Sequence, residues 1–182
     1  MHLSLPHVNS FHLVPDGEKA KNNTGFLGIA GGINYFHRDN QFVSAVVGVV
    51  ADYFSPFVIG ANYPPGVRED MRSMYVSLSN NHLINRFTFG YGLSYAANQW
   101  LLKDPDGVAY FNETELKTSN GPAPIDKRHK TLGFVSSAYF RVFDNFNIGL
   151  IYRPTILRLN TIERFKYEHI ISLDFALRLP AR

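Results

Sequence analysis

Hydrophobic and polar residues alternate with a period of two along the last segment of the chain, residues 165–179. Alternate side chains of a β-strand point to opposite faces, so one face of this segment would be almost wholly apolar. The other face would carry four charged residues, Lys166, Glu168, Asp174 and Arg178. On a helix these charges would be spread around the axis, because each residue advances by about 100°. The pattern therefore predicts a strand, and one longer than the roughly 5–6 residues that are usual in soluble sheets.

Seven further segments carry the same alternation, separated by polar, glycine-rich or proline-rich turns. The eight predicted strands have approximate bounds of 8–14, 25–36, 41–54, 71–79, 86–101, 131–143, 146–157 and 165–179. Longer and shorter connections alternate, so all the short turns fall at one end of an up-and-down sheet. This sorting is typical of outer-membrane barrels, whose strands need about 9–11 residues to cross a bilayer. The pattern predicts an all-β fold, an eight-stranded antiparallel up-and-down transmembrane β-barrel, with residues 1–182 as one domain.

The ionisable residues within these strands lie on the face opposite the apolar stripe. The interior of an eight-stranded barrel is just wide enough to be filled by side chains, so no open pore is expected. Charges enclosed there would have to pair, because an unpaired buried charge is strongly destabilising. Glycines on the same face, such as Gly48 and Gly149, would leave room for long side chains. The predicted interior charge network consists of Asp52, Arg86, Arg141, Arg153, Glu168, Asp174 and Arg178.

Aromatic residues lie on the apolar face near several strand ends. Transmembrane barrels carry girdles of aromatic residues at both membrane interfaces. The shared face and the placement at strand ends therefore favour contact with lipid rather than packing in a soluble core. The residues in question are Tyr35, Tyr53, Tyr95, Phe146, Tyr152 and Tyr167.

Composition agrees with a β-protein and excludes several kinds of site. Aromatic residues make up 14% of the 182 residues, and the chain has 14 Gly and 10 Pro. No cysteine is present, which excludes a disulfide framework, a thiolate metal site and a cysteine nucleophile. The 18 basic and 15 acidic residues are dispersed, with one short basic run at 127–130, so no nucleic-acid partner is expected. We also expect no cofactor and no metal.

The first residues lack the basic start and apolar core of a signal peptide. Either the protein is cytoplasmic or the chain is a mature form with an added methionine. The strand pattern favours the second alternative. We therefore expect the protein in the cell outer membrane, as a monomer in contact with membrane lipid, or with detergent when it is purified.

Three short segments carry a resemblance to a known family. Residues 90–95 read GYGLSY, residues 149–154 read GLIYRP and residues 166–169 read KYEH. With these segments and its layout of strands, nearly the whole chain resembles the small eight-stranded outer-membrane barrels. In particular it looks like uncharacterised barrels of Gram-negative gut and oral bacteria. Such barrels often end on an aromatic residue, whereas this chain ends Leu-Pro-Ala-Arg, so Phe175 would take that place.

Some small barrels are hydrolases that act on lipid A or phospholipid, which makes serine–histidine pairs candidate sites. A histidine activates a serine only when the two side chains come within about 3 Å. Ser79 and His82 are weak candidates, because they would lie three positions apart across a predicted turn at 80–82. The hydrolase families instead place histidine two residues before serine within a strand. His169 and Ser172 fall on opposite faces, so we do not expect them to form a pair.

Two segments have partial metal-binding patterns. His2, His7 and His12 are clustered near the start but lack a nearby acid or cysteine, so an exposed terminus is the simpler interpretation. Residues 104–107 read Asp-Pro-Asp-Gly and resemble a fragment of a calcium loop without its remaining ligands. We interpret residues 104–107 as a turn.

The remaining candidate surface is the end of the barrel that carries the long loops, at about 55–70 and 102–130. Loops on a rigid scaffold are where binding residues concentrate. Our first hypothesis is a non-enzymatic outer-membrane barrel whose loops bind an extracellular ligand or have a structural role. One alternative is a lipid-modifying hydrolase or acyltransferase in the same barrel. The other is a soluble lipocalin-like barrel that binds an apolar ligand, which would require the apolar face to lie inside.

Overall fold

The computed structural model describes residues 1–52, 68–103, 125–161 and 163–178, and these residues form nine strands. The strands are β1 (His2–Leu13), β2 (Lys21–Gly25), β3 (Leu27–Arg38), β4 (Gln41–Ala51), β5 (Arg68–Ile84), β6 (Phe87–Lys103), β7 (Ile125–Arg141), β8 (Phe146–Leu159) and β9 (Glu168–Arg178). No helix in the described ranges has the length and apolar character needed to cross a membrane. From β3 to β9, each strand pairs with its neighbour in the chain, which is the up-and-down order.

Strand β1 closes the sheet into a ring, because it pairs antiparallel with both β3 and β9. Its second half also pairs with β2, from Asn9 opposite Gly25 to Leu13 opposite Lys21. One residue, Phe26, separates β2 from β3, so these two strands act as a single long strand with a break. The ring therefore has eight strand positions. The predicted all-β, eight-stranded, antiparallel up-and-down barrel is confirmed.

The connections at the two ends of the ring differ in length. At one end, which we call the short-turn end, the strands are joined through residues 39–40, 85–86 and 142–145. At the other, which we call the long-loop end, they are joined through residues 14–20, 52–67, 104–124 and 160–167. The short and long connections are therefore sorted between the two ends as the sequence predicts.

Apolar side chains cover the outside of the ring and polar side chains fill the inside. Ile33 and Val47 leave 62% and 61% of their surface exposed, and Leu78 leaves 58% exposed. By contrast, Ser172 and Asp174 are completely buried. An apolar surface of this extent is unfavourable in water, at roughly 25 cal/mol for each Å². This orientation is the opposite of the one that a soluble lipocalin-like barrel requires, and it is that of a transmembrane β-barrel.

Strand β5 runs to Ile84, so the turn predicted at residues 80–82 is wrong. Asn81 pairs with Phe42 of β4 there, and His82 pairs with Gln41, so the ladder is unbroken. The polar pattern is misleading because the side chain of Asn81 is buried inside the barrel rather than exposed in a turn. The chain turns at Asn85, whose φ of 55° lies in the left-handed region that asparagine tolerates.

Two other strand bounds differ from the prediction in a way that affects the interior. β7 begins at Ile125 rather than near residue 131, so the basic run at 127–130 belongs to a strand. β1 begins at His2 rather than near residue 8, and its first residues pair with the end of β9. In residues 126–130 of β7, polar side chains occupy both faces, so no apolar stripe marks the strand. In β1 the apolar stripe is short, with Leu3 and Leu5 exposed and Ser4 buried between them.

Candidate functional site

Glu168 is the centre of a buried polar cluster in the half of the interior nearest the long-loop end. Its Oε2 lies 2.7 Å from His129 Nε2 and accepts a hydrogen bond of 3.2 Å from Asn98 Nδ2. Its Oε1 accepts from the backbone N–H of Val14 at 2.8 Å and lies 3.8 Å from Arg158 Nε. The side chains of Glu168 and Arg158 are both completely buried. We call these residues the Glu168 cluster; they surround the carboxylate with compensating partners, as a buried charge requires.

Arg158 enters this cluster because of a β-bulge in β8. Leu132 pairs with Leu157 and Gly133 pairs with Thr155, so Ile156 has no partner across the ladder. An extra residue in one strand reverses the side-chain alternation beyond it. Ile156 is therefore exposed while Arg158 is buried, although the two are separated by an even number of positions. Arg158 Nη2 then donates to Asp16 Oδ1 at 3.0 Å in the loop beyond β1.

A second charged group lies beside the Glu168 cluster, at the same end of the interior. Lys21 Nζ lies 2.8 Å from Glu69 Oε1 and 4.9 Å from the centre of the Trp100 ring. The indole N–H of Trp100 donates to Glu69 Oε2 at 3.3 Å. Asp52 accepts a hydrogen bond of 2.6 Å from Asn23 Nδ2. Large side chains and charge pairs thus fill this half of the interior.

The half of the interior nearest the short-turn end contains a cavity of about 60 Å³, which we call the lower cavity. Arg153 and Arg178 line it together with serine, asparagine and aromatic side chains. Asp174 binds two of the lining residues: its carboxylate accepts from Ser4 Oγ and from Tyr139 OH, each at 2.6 Å. Within the described part of the chain, no carboxylate oxygen lies within 4.0 Å of either guanidinium group.

Two glycines allow tyrosine rings to lie against the inner wall around this cavity. A Cβ atom at Gly48 would lie 2.6 Å from the Tyr75 hydroxyl oxygen. A Cβ atom at Gly149 would lie 2.3 Å from a ring carbon of Tyr139. Both distances are shorter than van der Waals contact. An added Cβ would also lie 2.7 Å from Ala30 Cβ at Gly48 and 2.5 Å from the carbonyl oxygen of Ala138 at Gly149, so the wall itself excludes a larger residue at both positions. Tyr139 reaches Asp174 from this position against the wall.

The residues predicted to form the interior charge network are divided between the interior and the rim. Asp52, Arg153, Glu168 and Asp174 are buried, and Arg178 lines the lower cavity. Arg86 and Arg141 are exposed at the short-turn end, so their predicted place inside the barrel is corrected. The reason is that β5 and β6 are joined through residues 85–86, and Arg141 is the last residue of β7. Arg141 Nη2 donates to the carbonyl oxygen of Asn85 at the same end.

Several interior residues lie outside the predicted set, and three of them, His129, Arg158 and Tyr139, show why. His129 lies in the basic run that was predicted to be a loop, and Arg158 lies beyond the bulge. Tyr139 lies between Ala138 and Phe140, which face outward, and the apolar character of these two residues indicates its inward orientation. If odd and even positions are assigned to opposite faces of a strand that begins at residue 125, His129 and Tyr139 both fall on the inward face.

Ser79 and His82 do not come together. Ser79 lines the lower cavity, whereas the ring of His82 stacks on the exposed Tyr91 with the centroids 5.7 Å apart. The two side chains lie on opposite faces of β5, because an odd number of positions separates them in a continuous strand. They therefore do not form a serine–histidine catalytic pair.

The histidines near the start of the chain also point to separate places. His2 Nδ1 lies 3.1 Å from Asn34 Oδ1 inside the barrel, whereas His7 packs between Phe26 and Phe175. His12 stacks on His169 with the ring centroids 5.0 Å apart. The described residues contain no group of three or more His, Cys, Asp or Glu side chains placed to hold a metal ion.

A row of basic residues lies on the outer face of β5, β6 and β7 near the long-loop end. Arg72 pairs with Gln99, and Gln99 pairs with Arg128, so the three residues lie side by side. Lys130 follows Arg128 on the same exposed face; we call Arg72, Arg128 and Lys130 the outer basic row. Arg128 donates to both oxygens of Asp126, and these hydrogen bonds hold the pKa of that carboxyl below its usual range. The row keeps a net positive charge after this pairing.

Some predicted features lie outside the described residues. They include Tyr53 of the aromatic girdle, the turn at 104–107 and most of the two long loops. For these features the sequence-based expectations stay predictions.

The chain matches no protein-family model and no curated protein. It is similar to several solved structures. Ail, the attachment invasion locus protein of Yersinia pestis, is 13% identical with a TM-score of 0.61, over 98% of this chain and 97% of Ail. The structure of that protein with the heparin analogue sucrose octasulfate gives 12% identity and a TM-score of 0.58, over 98% and 97%. Neisserial surface protein A is 10% identical with a TM-score of 0.57, over 98% of this chain and 96% of that protein.

At these identities the likeness concerns the fold, and it extends over almost the full length of each chain. The predicted resemblance to small eight-stranded outer-membrane barrels is therefore confirmed at the level of the fold. The chain folds as a small transmembrane β-barrel of the kind seen in Ail and in Neisserial surface protein A.

Proposed function

We propose that the protein is a non-enzymatic barrel of the Gram-negative outer membrane, which presents its long-loop end to the exterior for ligand binding. The observation that carries this proposal is the inverted distribution of side chains, with exposed apolar residues around the ring and buried polar residues within it. A bilayer is the environment in which such an exterior is stable. The similarity to surface and attachment proteins of two Gram-negative genera supports the same assignment.

The height of the apolar stripe supports a membrane-spanning orientation. On β6, outward residues from Phe87 to Tyr95 are each 40–59% exposed. Eight steps of about 3.4 Å along a strand tilted by about 40° correspond to a height of roughly 21 Å. This is close to the apolar band of about 25 Å that transmembrane barrels carry. The polar outer residues Gln99 and Arg128 follow above it, at the level expected for lipid headgroups.

The filled interior supports a scaffold rather than a porin-like channel. Trp100 is 1% exposed, and the Glu168 cluster lies beside it across the long-loop half. An eight-stranded barrel filled in this way leaves no aqueous lumen for solutes. The separation of Ser79 from His82 removes the serine–histidine pair that the hydrolase alternative relied on.

The membrane assignment is tested by proteolysis of intact cells. Trypsin added outside is expected to cleave at Lys117, within the connection 104–124. Arg86 and Arg141, at the opposite end, should be cleaved only after the outer membrane is permeabilised. Cleavage at Arg86 in intact cells would contradict the orientation. A purified protein that is monodisperse without detergent would contradict the membrane assignment itself.

The outer basic row supports an anionic ligand at the long-loop end. Arg72, Arg128 and Lys130 are exposed and lie next to the two longest connections. Ail, which shares the fold, has been observed with the polyanion sucrose octasulfate. We therefore propose that the extracellular ligand is a polyanion such as a sulfated glycan. Exposed charges of this kind add affinity in proportion to their number and are screened by salt.

Binding of sucrose octasulfate to the purified protein in detergent tests the ligand class. A variant with Arg72→Gln, Arg128→Gln and Lys130→Gln is expected to bind about tenfold to a hundredfold more weakly, at roughly 0.5–1 kcal/mol for each charge. The matched control replaces three exposed arginines of the short-turn end, Arg38, Arg86 and Arg141, with glutamine. Equal weakening in the two variants would show an effect of net charge alone and would contradict a site at the outer basic row.

A further inference from the structure

The lower cavity is surrounded by more positive than negative charge. Arg153 and Arg178 both line it, whereas one carboxylate, Asp174, is held by two of its lining residues, Ser4 and Tyr139. Two positive charges and one negative charge leave an excess of one positive charge among these residues. The guanidinium group of arginine keeps its proton in folded proteins. The excess therefore cannot be removed by loss of a proton.

Arg153 has unused hydrogen-bonding capacity in a buried place. It is 6% exposed, and its Nη2 donates to Ser172 Oγ at 2.7 Å. Its Nε and Nη1 atoms are buried and have no hydrogen-bond partner. The guanidinium carbon lies 4.0 Å from the centre of the Tyr75 ring. The face of the ring attracts the cation but carries no net negative charge that would neutralise it. Arg158 also has Nε and Nη1 atoms without a hydrogen-bond partner, but two carboxylates lie within 4 Å of its guanidinium group. Arg153 has the unpartnered N–H groups and, within the described residues, no such carboxylate, so the arrangement indicates a further partner.

Arg178 is held by weak partners of the same kind. Its Nη2 donates to Thr88 Oγ1 at 3.1 Å, and its guanidinium carbon lies 5.2 Å from the centre of the Phe42 ring. A hydroxyl and an aromatic face orient the guanidinium but do not neutralise it. The two arginines thus lack, within the described residues, the carboxylate that Glu168 supplies to Arg158 in the other half.

We propose that the lower cavity binds a small monovalent inorganic anion, such as chloride, between Arg153 and Arg178. The anion supplies the missing negative charge and an acceptor for the unpartnered N–H groups. The lining serines are Ser4, Ser44, Ser77, Ser79 and Ser137. Ser4 and Ser44 donate their O–H groups to Asp174 and Asn34. The side chains of Ser77, Ser79 and Ser137 are able to turn their O–H groups toward the cavity.

The size of the cavity decides the class of ligand. Its volume of about 60 Å³ compares with about 10–15 Å³ for one enclosed water molecule by the same kind of measure. A halide ion with a few water molecules fits this space, whereas a lipid headgroup or a sugar does not. Water alone would fill the space but would leave the excess charge in a medium of low dielectric constant. This inference depends on the interior side chains and is independent of the proposed ligand at the long-loop end.

Chloride binding is tested by ³⁵Cl NMR on the folded protein in detergent, because a bound chloride broadens the bulk resonance. The wild-type protein is expected to give saturable excess broadening that bromide reverses. Arg178→Gln is expected to weaken chloride binding at least about tenfold, since it removes one of two charges on the ion. Arg38→Gln, which replaces an exposed arginine at the same end, is the matched control and should leave the binding unchanged.

A second measurement does not depend on the folding of a variant. Wild-type crystals grown in bromide are expected to show an anomalous peak in the lower cavity, within hydrogen-bond distance of both guanidinium groups. Ordered water there without an anomalous peak would overturn the proposal. So would the absence of saturable chloride binding by the wild-type protein, or equal binding by the Arg178→Gln and wild-type proteins.

Discussion

The two halves of the barrel interior enclose charge in different ways. In the long-loop half, Glu168 and Arg158 face each other while His129 and Asn98 complete the shell of the carboxylate. In the short-turn half, Arg153 and Arg178 rely on hydroxyl groups and aromatic rings and border a cavity. The same barrel thus encloses one cluster in which opposite charges are paired and another in which two positive charges lack a nearby carboxylate among the described residues.

The difference between the two halves indicates which interior substitutions should lower the free energy of unfolding most. In the long-loop half the carboxylate of Glu168 is surrounded by donors, so that cluster is sensitive to the loss of Glu168. In the short-turn half no carboxylate adjoins the two arginines within the described residues, and the open volume beside them accommodates substitution and exogenous ligands more readily. We therefore expect substitutions in the long-loop half to have large effects and substitutions of the cavity arginines to have small ones.

The largest effect is expected from Glu168→Ala. The substitution removes the acceptor of Asn98 Nδ2 and of the Val14 backbone N–H, and it leaves the buried Arg158 with Asp16 as its remaining carboxylate partner. The free energy of unfolding, measured by urea titration in detergent micelles, should fall by about 3–5 kcal/mol. Glu163→Ala serves as the control, because Glu163 is exposed and pairs with Lys166, and its removal should change the value by about 1 kcal/mol or less. Equal losses of unfolding free energy at Glu168 and Glu163 would contradict the claim that the Glu168 cluster stabilises the long-loop half.

An intermediate effect is expected from Gly48→Ala, which introduces a methyl group 2.6 Å from the Tyr75 hydroxyl oxygen. Overpacking of this kind should lower the free energy of unfolding by about 1–3 kcal/mol in the same titration. At Gly31, the nearest atom to an added Cβ is 4.0 Å away, so Gly31→Ala is the matched control without a clash. A loss below about 0.5 kcal/mol at Gly48 would contradict the close packing of this position against Tyr75 and Ala30.

The smallest effect is expected from Arg178→Gln measured without chloride. The substitution removes a hydrogen bond to Thr88 but leaves no carboxylate unpaired, so the loss should be about 1 kcal/mol or less. The same urea titration in a gluconate buffer provides the value. A loss as large as that of Glu168→Ala would show that Arg178 is paired in solution, and the contrast between the halves would fail.

The alternation of side chains is sufficient to predict the fold class, because each apolar stripe has the period of a strand. The parity count also places Glu168, Asp174 and Arg153 inside. The count fails at Arg158, because a single bulge at Ile156 reverses the alternation beyond it. The order of apolar and polar residues in the sequence does not reveal this bulge. It fails at Asn81 as well, because a polar residue that faces a polar interior resembles a turn residue.

The partners within the interior are harder to predict than the faces. His129 of β7 contacts Glu168 of β9 over the intervening strand β8, and that contact depends on how the strands are staggered around the ring. No single strand carries this information. Arg86 and Arg141 lie at strand ends. An error of one or two residues in a predicted strand bound there decides whether a side chain is assigned to the interior or to the rim.

Spin labelling along β5 in lipid vesicles tests the central claim most directly, and the natural absence of cysteine allows single-cysteine variants without further changes. Labels at Met74, Val76 and Leu78 are expected to collide with oxygen dissolved in lipid but not with a water-soluble nickel complex. Labels at Ser77 and Ser79 are expected to be shielded from lipid oxygen. Alternation of period two with this parity would support a barrel with a lipid-facing apolar exterior. The reverse parity, or equal accessibility at all five positions, would contradict it.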